Sequence, residues 1–259
     1  MNTKPDKLES LKKLAKPFFL ENSSEIGVLL VHGFTASPTE MLPLGKYLHN
    51  KGYSIYGVCL AGHGTYYTDL QKYGWKDWFK SVTDGFFLLK EYCKTIIPIG
   101  ISMGALLCLN LLQSHKVDEI PKIILLSPPF RLKSRLASLT PLLKYFIKFT
   151  YKGDKTLQYF LKHNLYSYLY RPTSSVAQFL KLQRTISKSM KMLTIPTMIA
   201  YGEMDDMISI PTVESMATRI KSTTKVEILK LPNSGHILTV EPDAEQLFDA
   251  ISSFIDKTF

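Results

Sequence analysis

The pentapeptide Gly-Ile-Ser-Met-Gly at positions 100–104 constrains this chain more than any other feature of its sequence. A short apolar run, 95–99, precedes it and is typical of a buried strand, and the apolar stretch that follows, 105–112, is typical of a helix. When a serine lies at a sharp turn between a strand and a helix, its hydroxyl is exposed and can act as a nucleophile. The pattern therefore predicts a nucleophilic Ser102, with an ordinary glycine-rich turn as the alternative.

The two glycines and the following helix each have a physical role in that arrangement. Side chains at 100 or 104 would collide with the neighbouring strand and helix, and glycine removes that obstacle. A helix that begins directly after Ser102 presents its unpaired N–H groups and the positive end of its dipole to any anion that forms there. The turn is thus suited to a reaction in which negative charge develops beside the serine.

Apolar runs alternate with amphipathic stretches along most of the chain. The run 26–31 is continuously apolar, which is typical of a strand buried on both faces of a parallel or mixed sheet. We predict a helix that begins at Pro38 with Ser37 as its N-cap, and a long helix over about 75–94. The alternation predicts an α/β fold with a mostly parallel sheet flanked by helices on both faces. Further strands are predicted at 16–21, 53–60, 122–126, 197–201 and 225–230, and further helices at 212–221 and 243–257.

One long segment interrupts the alternation. Residues 128–193 contain no clear sheet strand and are rich in Tyr, Phe, Leu and Lys. The segment leaves after one predicted strand and returns before another, so we predict an inserted, mainly helical cap over the carboxyl ends of the strands, where open α/β sheets bind ligands. The predicted domains are a core of 17–127 and 194–259, the cap of 128–193, and an N-terminal extension of 1–16.

The charge of the chain is uneven. Its formal net charge is +10, and the segment 131–191 holds 13 of the 32 basic residues but only one of the 22 acidic residues, Asp154. A basic cap predicts weak association with anionic lipid surfaces, and solvated lysines on helix surfaces are the alternative. We expect no nucleic-acid partner, because no nucleic-acid-binding motif accompanies the charge.

Cysteine usage and hydropathy indicate the cellular environment in which the protein is expected. The three cysteines, Cys59, Cys93 and Cys108, have no metal-type spacing, so free thiols in a reducing compartment are expected. The first 16 residues lack an apolar signal region, and no run approaches the roughly 18 apolar residues of a membrane span. We therefore expect a cytoplasmic monomer or homodimer that needs no metal or cofactor.

A nucleophilic serine needs a base, and the base needs an acid to orient it. In hydrolases built on this kind of sheet the chain order is Ser, then Asp or Glu, then His. His236 is the only histidine after the last predicted strand, and it lies in a glycine-containing loop. The acid is expected after the strand 197–201, where Asp205 is favoured and the adjacent Asp206 is the alternative.

Two backbone N–H groups are expected to bind the oxyanion. One belongs to Met103, directly after the nucleophile, and the other to Phe34, in the loop after the buried strand 26–31. We expect His32 to order that loop through hydrogen bonds without a chemical step of its own. A structural role is also expected for His63, which lies between two glycines on another loop at a strand end.

Several of these motifs together resemble the bacterial carboxylesterase and monoacylglycerol lipase family of the α/β-hydrolase fold. The resemblance covers nearly the whole chain from about residue 18 and is weakest over 130–173. It implies Ser102 as nucleophile, Asp205 as acid and His236 as base, with Phe34 and Met103 as the N–H donors. The family often has a second glycine after the elbow, where this chain has Ala105. The motifs are 28–38 (VLLVHGFTASP), 62–64 (GHG), 100–104 (GISMG), 201–208 (YGEMDDMI) and 233–239 (NSGHILT).

The function predicted from these residues is that of a serine carboxylic-ester hydrolase. We expect it to act through an acyl-enzyme on short- to medium-chain acyl esters or monoacylglycerols, so its partner is a small-molecule acyl ester. Two alternatives remain at this point. One is an acyl-thioesterase with the same triad, and the other is a non-enzymatic ligand-binding protein on the same fold.

Overall fold

A seven-stranded sheet forms the centre of the computed structural model, which describes residues 4–22, 25–114, 120–133, 146–189, 193, 195–221 and 225–258. The strands of this sheet are β1 (Phe18–Leu20), β2 (Ile26–Val31), β3 (Ser54–Val58), β4 (Thr95–Ile101), β5 (Ile123–Leu126), β8 (Thr197–Gly202) and β9 (Val226–Leu231). Their order in the sheet is β1-β3-β2-β4-β5-β8-β9. Strand β1 pairs with β3 in the antiparallel sense, and every other pair in this sheet is parallel. The predicted mostly parallel sheet is therefore confirmed.

Helices cover both faces of this sheet and bury two apolar layers. Along β2 the side chains alternate between the layers, because successive residues of a strand point to opposite faces. Leu29 and Val31 pack in one layer, and Val28 and Leu30 pack in the other. This burial on both faces explains why the run reads as continuously apolar. The helices are α1 (Lys4–Leu14), α2 (Leu42–Asn50), α3 (Trp75–Lys90), α4 (Met103–Ser114), α5 (Asp154–Lys162), α6 (Thr173–Ser189), α7 (Ile210–Lys221) and α8 (Ala244–Asp256).

Two predicted helix boundaries are wrong. Residues Pro38–Glu40 form a short 3₁₀ turn, and α2 begins at Leu42. Ser37 makes no side-chain cap, because its Oγ instead donates a hydrogen bond to the carbonyl of Tyr166 at 2.7 Å. The predicted helix 75–94 ends four residues early, at Lys90. A tertiary contact overrides local capping chemistry in the first case.

The segment between β5 and β8 contains more than helices. Two short strands, β6 (Phe149–Tyr151) and β7 (Tyr170–Pro172), pair in the antiparallel sense as a separate sheet, with α5 between them. Helix α6 follows β7 and packs against α3 and α4. Residues 134–145 and 190–192, which include part of the apolar run 142–149, lie outside the described residues, as does His115. The division into core and cap remains our proposal.

No helix in the described ranges has the length and apolar character that crossing a membrane requires.

Candidate active site

Ser102 occupies the tight turn between β4 and α4. Its φ of 54° lies in the left-handed region, where a residue with a side chain is strained. The backbone is held there because the Ser102 N–H donates to the carbonyl of Leu126 at 2.8 Å, next to it in the sheet. A Cβ at Gly100 would lie 2.3 Å from the carbonyl carbon of Gly104, and a Cβ at Gly104 would lie 2.1 Å from the carbonyl oxygen of Val31. The turn therefore requires glycine on both sides of the serine.

We predict that Gly104→Ala lowers the free energy of unfolding by about 3 kcal/mol or more, because backbone atoms cannot yield to the added methyl group. Gly235→Ala is the matched control, since its Cβ would meet nothing closer than 3.6 Å. Denaturant unfolding of the two variants checks the prediction. Equal stability of Gly104→Ala and wild type would contradict the close approach of α4 to β2.

His236 and Asp205 form a hydrogen-bonded pair at the carboxyl edge of the sheet. The Nδ1 of His236 lies 2.7 Å from Oδ2 of Asp205, whose side chain is fully buried. The other oxygen, Oδ1, accepts the N–H groups of Met207 at 2.8 Å and Ile208 at 3.2 Å. Both carboxylate oxygens thus have donors, which fixes the carboxylate and leaves Nε2 of His236 as the ring nitrogen not used by this pair.

The electrostatics of the pair favour a charged carboxylate. Burial alone would raise the pKa of Asp205. The hydrogen bond from His236, its positive charge when protonated, and the two N–H groups outweigh burial and lower the pKa below its ordinary value. Asp206 is exposed and makes none of these contacts. The geometry therefore favours Asp205 over its neighbour as partner of His236.

The loop that carries His236 is tied to the segments that follow β5 and β8. Ser127, directly after β5, donates its hydroxyl to the carbonyl of His236 at 3.0 Å. The N–H of Met204 donates to the carbonyl of Ser234 at 3.1 Å. Within the described residues, His236 bonds to Asp205 and makes no hydrogen bond to Ser102. Such bonds are often long before substrate is bound, so this geometry is compatible with a later contact.

The loop after β2 passes directly beside the serine. A Cβ at Gly33 would lie 3.3 Å from the Cβ of Ser102, so Gly33, directly before Phe34, is in close contact with the turn. The Nδ1 of His32 lies 2.9 Å from the carbonyl oxygen of Gly33, and its Nε2 accepts the N–H of Leu60 at 3.2 Å. Because Nε2 accepts, Nδ1 is the donor of a neutral ring.

Burial keeps both loop histidines neutral. It lowers the pKa of His32 to about 4, with the Gly33 carbonyl opposing the shift. It also lowers the pKa of His63 well below the ordinary value, and the neighbouring His32 adds to that shift. Nε2 of His63 accepts the N–H of Thr35 at 3.1 Å. Both histidines thus bond to the backbone of the loop after β2; the sequence predicted this ordering role for His32 and only a structural role for His63.

An aromatic wall adjoins this loop. The Phe34 ring is stacked on Phe179 of α6, with centroids 5.6 Å apart, and its centroid lies 5.7 Å from that of Trp78 on α3. The side chain of Met103 is fully buried. The half-buried Phe34 ring thus offers apolar surface beside the loop, whereas the Met103 side chain belongs to the core.

Two ionisable residues beside the loop, the buried Glu40 and the half-buried Lys152, were not predicted. Glu40 Oε2 accepts the N–H of Gly33 at 2.7 Å, and burial raises the pKa of Glu40 above its ordinary value. Lys152, between β6 and α5, donates to Thr35 Oγ1 at 2.6 Å. A glutamate in the apolar context of the 3₁₀ turn was a usable signal for Glu40. No local signal separates Lys152 from the other lysines of the basic segment.

Across the described part of the chain, no group of three or more His, Cys, Asp or Glu side chains is arranged to hold a metal ion.

The sheet order, the serine turn and the helices on both faces define an α/β-hydrolase. Solved structures agree on the fold. A metagenome-derived lipolytic enzyme superposes with a TM-score of 0.82 at 21% identity, covering 94% of this chain and 98% of that one. Monoglyceride lipase of Saccharomyces cerevisiae, solved with a substrate analogue, superposes with a TM-score of 0.70 at 20% identity, covering 93% and 90%.

The chain belongs to the family described as "Serine aminopeptidase, S33", whose sequence model matches residues 23–243. It is 31% identical to a thermostable monoacylglycerol lipase of Bacillus sp., over 94% of this chain and 95% of that protein. It is 26% identical to a carboxylesterase of Bacillus subtilis, over 93% and 96%. The predicted resemblance to carboxylesterases and monoacylglycerol lipases is confirmed, and the chain is a serine hydrolase of this group.

Proposed function

We propose that this protein hydrolyses carboxylic esters through Ser102, His236 and Asp205. The observation that carries the proposal is the 2.7 Å bond between His236 and Asp205 at the sheet edge that also presents the Ser102 turn. A serine, a buried carboxylate and a histidine follow one another in this chain order, and they supply a nucleophile, an orienting acid and a base. The names of the Bacillus relatives support esters as the substrate class.

The proposed reaction has two halves. His236 Nε2 takes the proton of Ser102 as Oγ attacks the ester carbonyl, and the N–H groups of Phe34 and Met103 bind the oxyanion. The alcohol leaves with the proton from His236, which leaves an acyl group on Ser102. His236 then activates a water molecule that releases the acid. Asp205 holds His236 in the required tautomer and stabilises its charged form.

The surroundings of the serine support an apolar acyl group. The rings of Phe34, Trp78 and Phe179 pack together beside the loop that supplies the proposed donor. Of these three rings only that of Phe34 is partly exposed, with Trp78 and Phe179 buried behind it. An alkyl chain that covers the Phe34 ring removes apolar area from water, at roughly 25 cal/mol for each Å² buried. Short- to medium-chain esters and monoacylglycerols are therefore the proposed substrates. An acyl-thioester is the second candidate, because the same groups can attack its carbonyl.

A series of p-nitrophenyl esters from acetate to palmitate tests the substrate class. We expect hydrolysis with a maximum of kcat/KM at a short or medium chain, since a wall of fixed size limits the acyl group that it can cover. Stopped assays with monoacylglycerols and acyl-CoA thioesters complete the comparison. Hydrolysis of acyl-CoA without ester hydrolysis would favour the thioesterase. A folded protein inactive on all of them would favour a ligand-binding protein.

A further inference from the structure

We propose that Lys152 is a positioning residue for the loop that carries the Phe34 N–H, and that it acts through Thr35. This inference rests on the proposed function, because it assigns Phe34 as an oxyanion donor. Lys152 belongs to the segment inserted between β5 and β8, whereas Thr35 belongs to the loop after β2. The contact is therefore one of those that join the inserted segment to the loop beside the reaction centre.

Thr35 is the strained point of this loop. Its φ of 64° lies in the left-handed region, which is costly for a β-branched residue. Such a conformation persists only where the surroundings hold it. Every polar atom of Thr35 is held. Its N–H donates to His63 at 3.1 Å, and its carbonyl accepts the N–H of Tyr168 at 2.9 Å and the hydroxyl of Ser167 at 3.1 Å.

The side chain of Thr35 links Lys152 to Phe34. Nζ of Lys152 donates to Thr35 Oγ1 at 2.6 Å and to Ser167 Oγ at 3.0 Å. The Thr35 hydroxyl in turn donates to the carbonyl of Phe34 at 2.5 Å. A donor already accepting a bond from an ammonium is polarised and donates more strongly. Lys152 thereby sets the hydroxyl direction that orients the peptide after Phe34.

The peptide before Phe34 is held from the other side. This peptide carries the Phe34 N–H, and its carbonyl, that of Gly33, accepts from the His32 ring at 2.9 Å. The two peptides that flank Phe34 are thus oriented by different parts of the chain, His32 acting from the loop itself and Lys152 from the inserted segment. The Gly33 N–H, which belongs to the preceding peptide, donates to Glu40 in the 3₁₀ turn.

The positive charge of Lys152 lowers the stability of the fold at this position. Burial lowers the pKa of Lys152 to about 7, the positive charge of Arg171 on β7 adds to the shift, and the Glu40 carboxylate opposes it. Within the described residues no carboxylate forms an ion pair with Lys152. A desolvated ammonium without a paired carboxylate reduces stability. Its contacts with Thr35 and Ser167 give it a role in placing the loop.

Lys152→Met tests this role, with Lys155→Met as the matched control. Lys155 is an exposed lysine three positions away, so the control removes the same charge without touching the loop. Complete loss of one oxyanion donor costs about 10²–10³ in rate. We expect a displaced donor to cost less, so kcat for a p-nitrophenyl ester should fall about 10- to 100-fold in Lys152→Met, with KM within about threefold and no change in the control.

Hydrogen exchange provides a readout that does not depend on activity. The Thr35 N–H bonds to His63, and the Tyr168 N–H bonds to the Thr35 carbonyl. Both amides should therefore exchange faster in Lys152→Met than in wild type or Lys155→Met. Thermal unfolding separates positioning from a purely structural role. A lysine with a lowered pKa destabilises the fold fully below its folded pKa of about 7, and this cost disappears as pH rises toward the unfolded value.

Lys152→Met should therefore keep or raise the melting temperature, with the larger gain at pH 6 than at pH 9. Unchanged kcat and unchanged exchange would overturn the inference. A lower melting temperature of Lys152→Met, together with a fall in kcat and a rise in KM, would also overturn the inference, because it would indicate a purely structural role for this lysine. If wild type hydrolyses no ester, the proposed function fails, and the exchange comparison still decides whether Lys152 holds the loop.

Discussion

Replacement of Ser102 by alanine is expected to lower kcat for ester hydrolysis by about 10⁴-fold or more. The residual rate would come from substrate binding without an acyl-enzyme. The loss is large because no other group can form the acyl-enzyme. The fold should be retained, since the hydroxyl of Ser102 makes no bond that supports the turn in the described structure. Its backbone N–H, bonded to Leu126, is unchanged by the substitution.

Ser114→Ala is the matched control, because Ser114 lies exposed at the end of the same helix, α4. Both variants are assayed on the best p-nitrophenyl ester of the series, and circular dichroism and thermal unfolding verify the fold. Covalent labelling by a fluorophosphonate should occur in wild type and Ser114→Ala and be absent in Ser102→Ala. Retained hydrolysis in a folded, purified Ser102→Ala would reject the proposed nucleophile.

The second large effect is expected at the acid. Asp205→Asn should lower kcat by about 10⁴-fold, because an amide in place of the carboxylate selects the wrong tautomer of His236 and no longer stabilises its charged form. The shape of the side chain is kept, so any loss reflects the charge and the hydrogen-bond pattern. The bonds from Met207 and Ile208 to Oδ1 can persist with the amide oxygen in that place.

Asp206→Asn is the matched control for this prediction. It changes the neighbouring residue in the same way, at an exposed position without contact to His236. We expect its kcat and KM within about twofold of wild type. The measurement is the full dependence of rate on substrate concentration for the two variants. A greater loss in Asp206→Asn than in Asp205→Asn would mean that the wrong carboxylate had been assigned to the base.

Much of the fold could be predicted because its signals are local. The continuous apolar run of β2 and the G-x-S-x-G turn each depend on a few adjacent residues, and the alternation of strands and helices follows from side-chain periodicity. The candidate residues Ser102 and His236 could be predicted for a related reason. Each follows a strand that ends at one edge of a parallel sheet, so chain order alone places both at that edge.

The errors arose where distant residues decide the local structure. Ser37 and Pro38 have the chemistry of a helix start, yet the Ser37 hydroxyl bonds to Tyr166 and the helix begins at Leu42. The strands β6 and β7 were missed because each has only three residues, too few for a periodic signal. Each pairs with a segment about twenty residues away along the chain, which no local pattern records.

The sequence by itself determined the sheet, the serine turn and the chain order of the proposed nucleophile, acid and base, because these follow from periodicity, glycine sterics and strand connectivity. The sequence also favoured Asp205 over Asp206. The tertiary structure supplied the physical difference between them, since both follow the same strand and only Asp205 is buried against His236. It alone placed Lys152 against Thr35, 117 positions apart along the chain. Contacts of that range depend on how whole elements pack, and packing leaves no pattern at either residue.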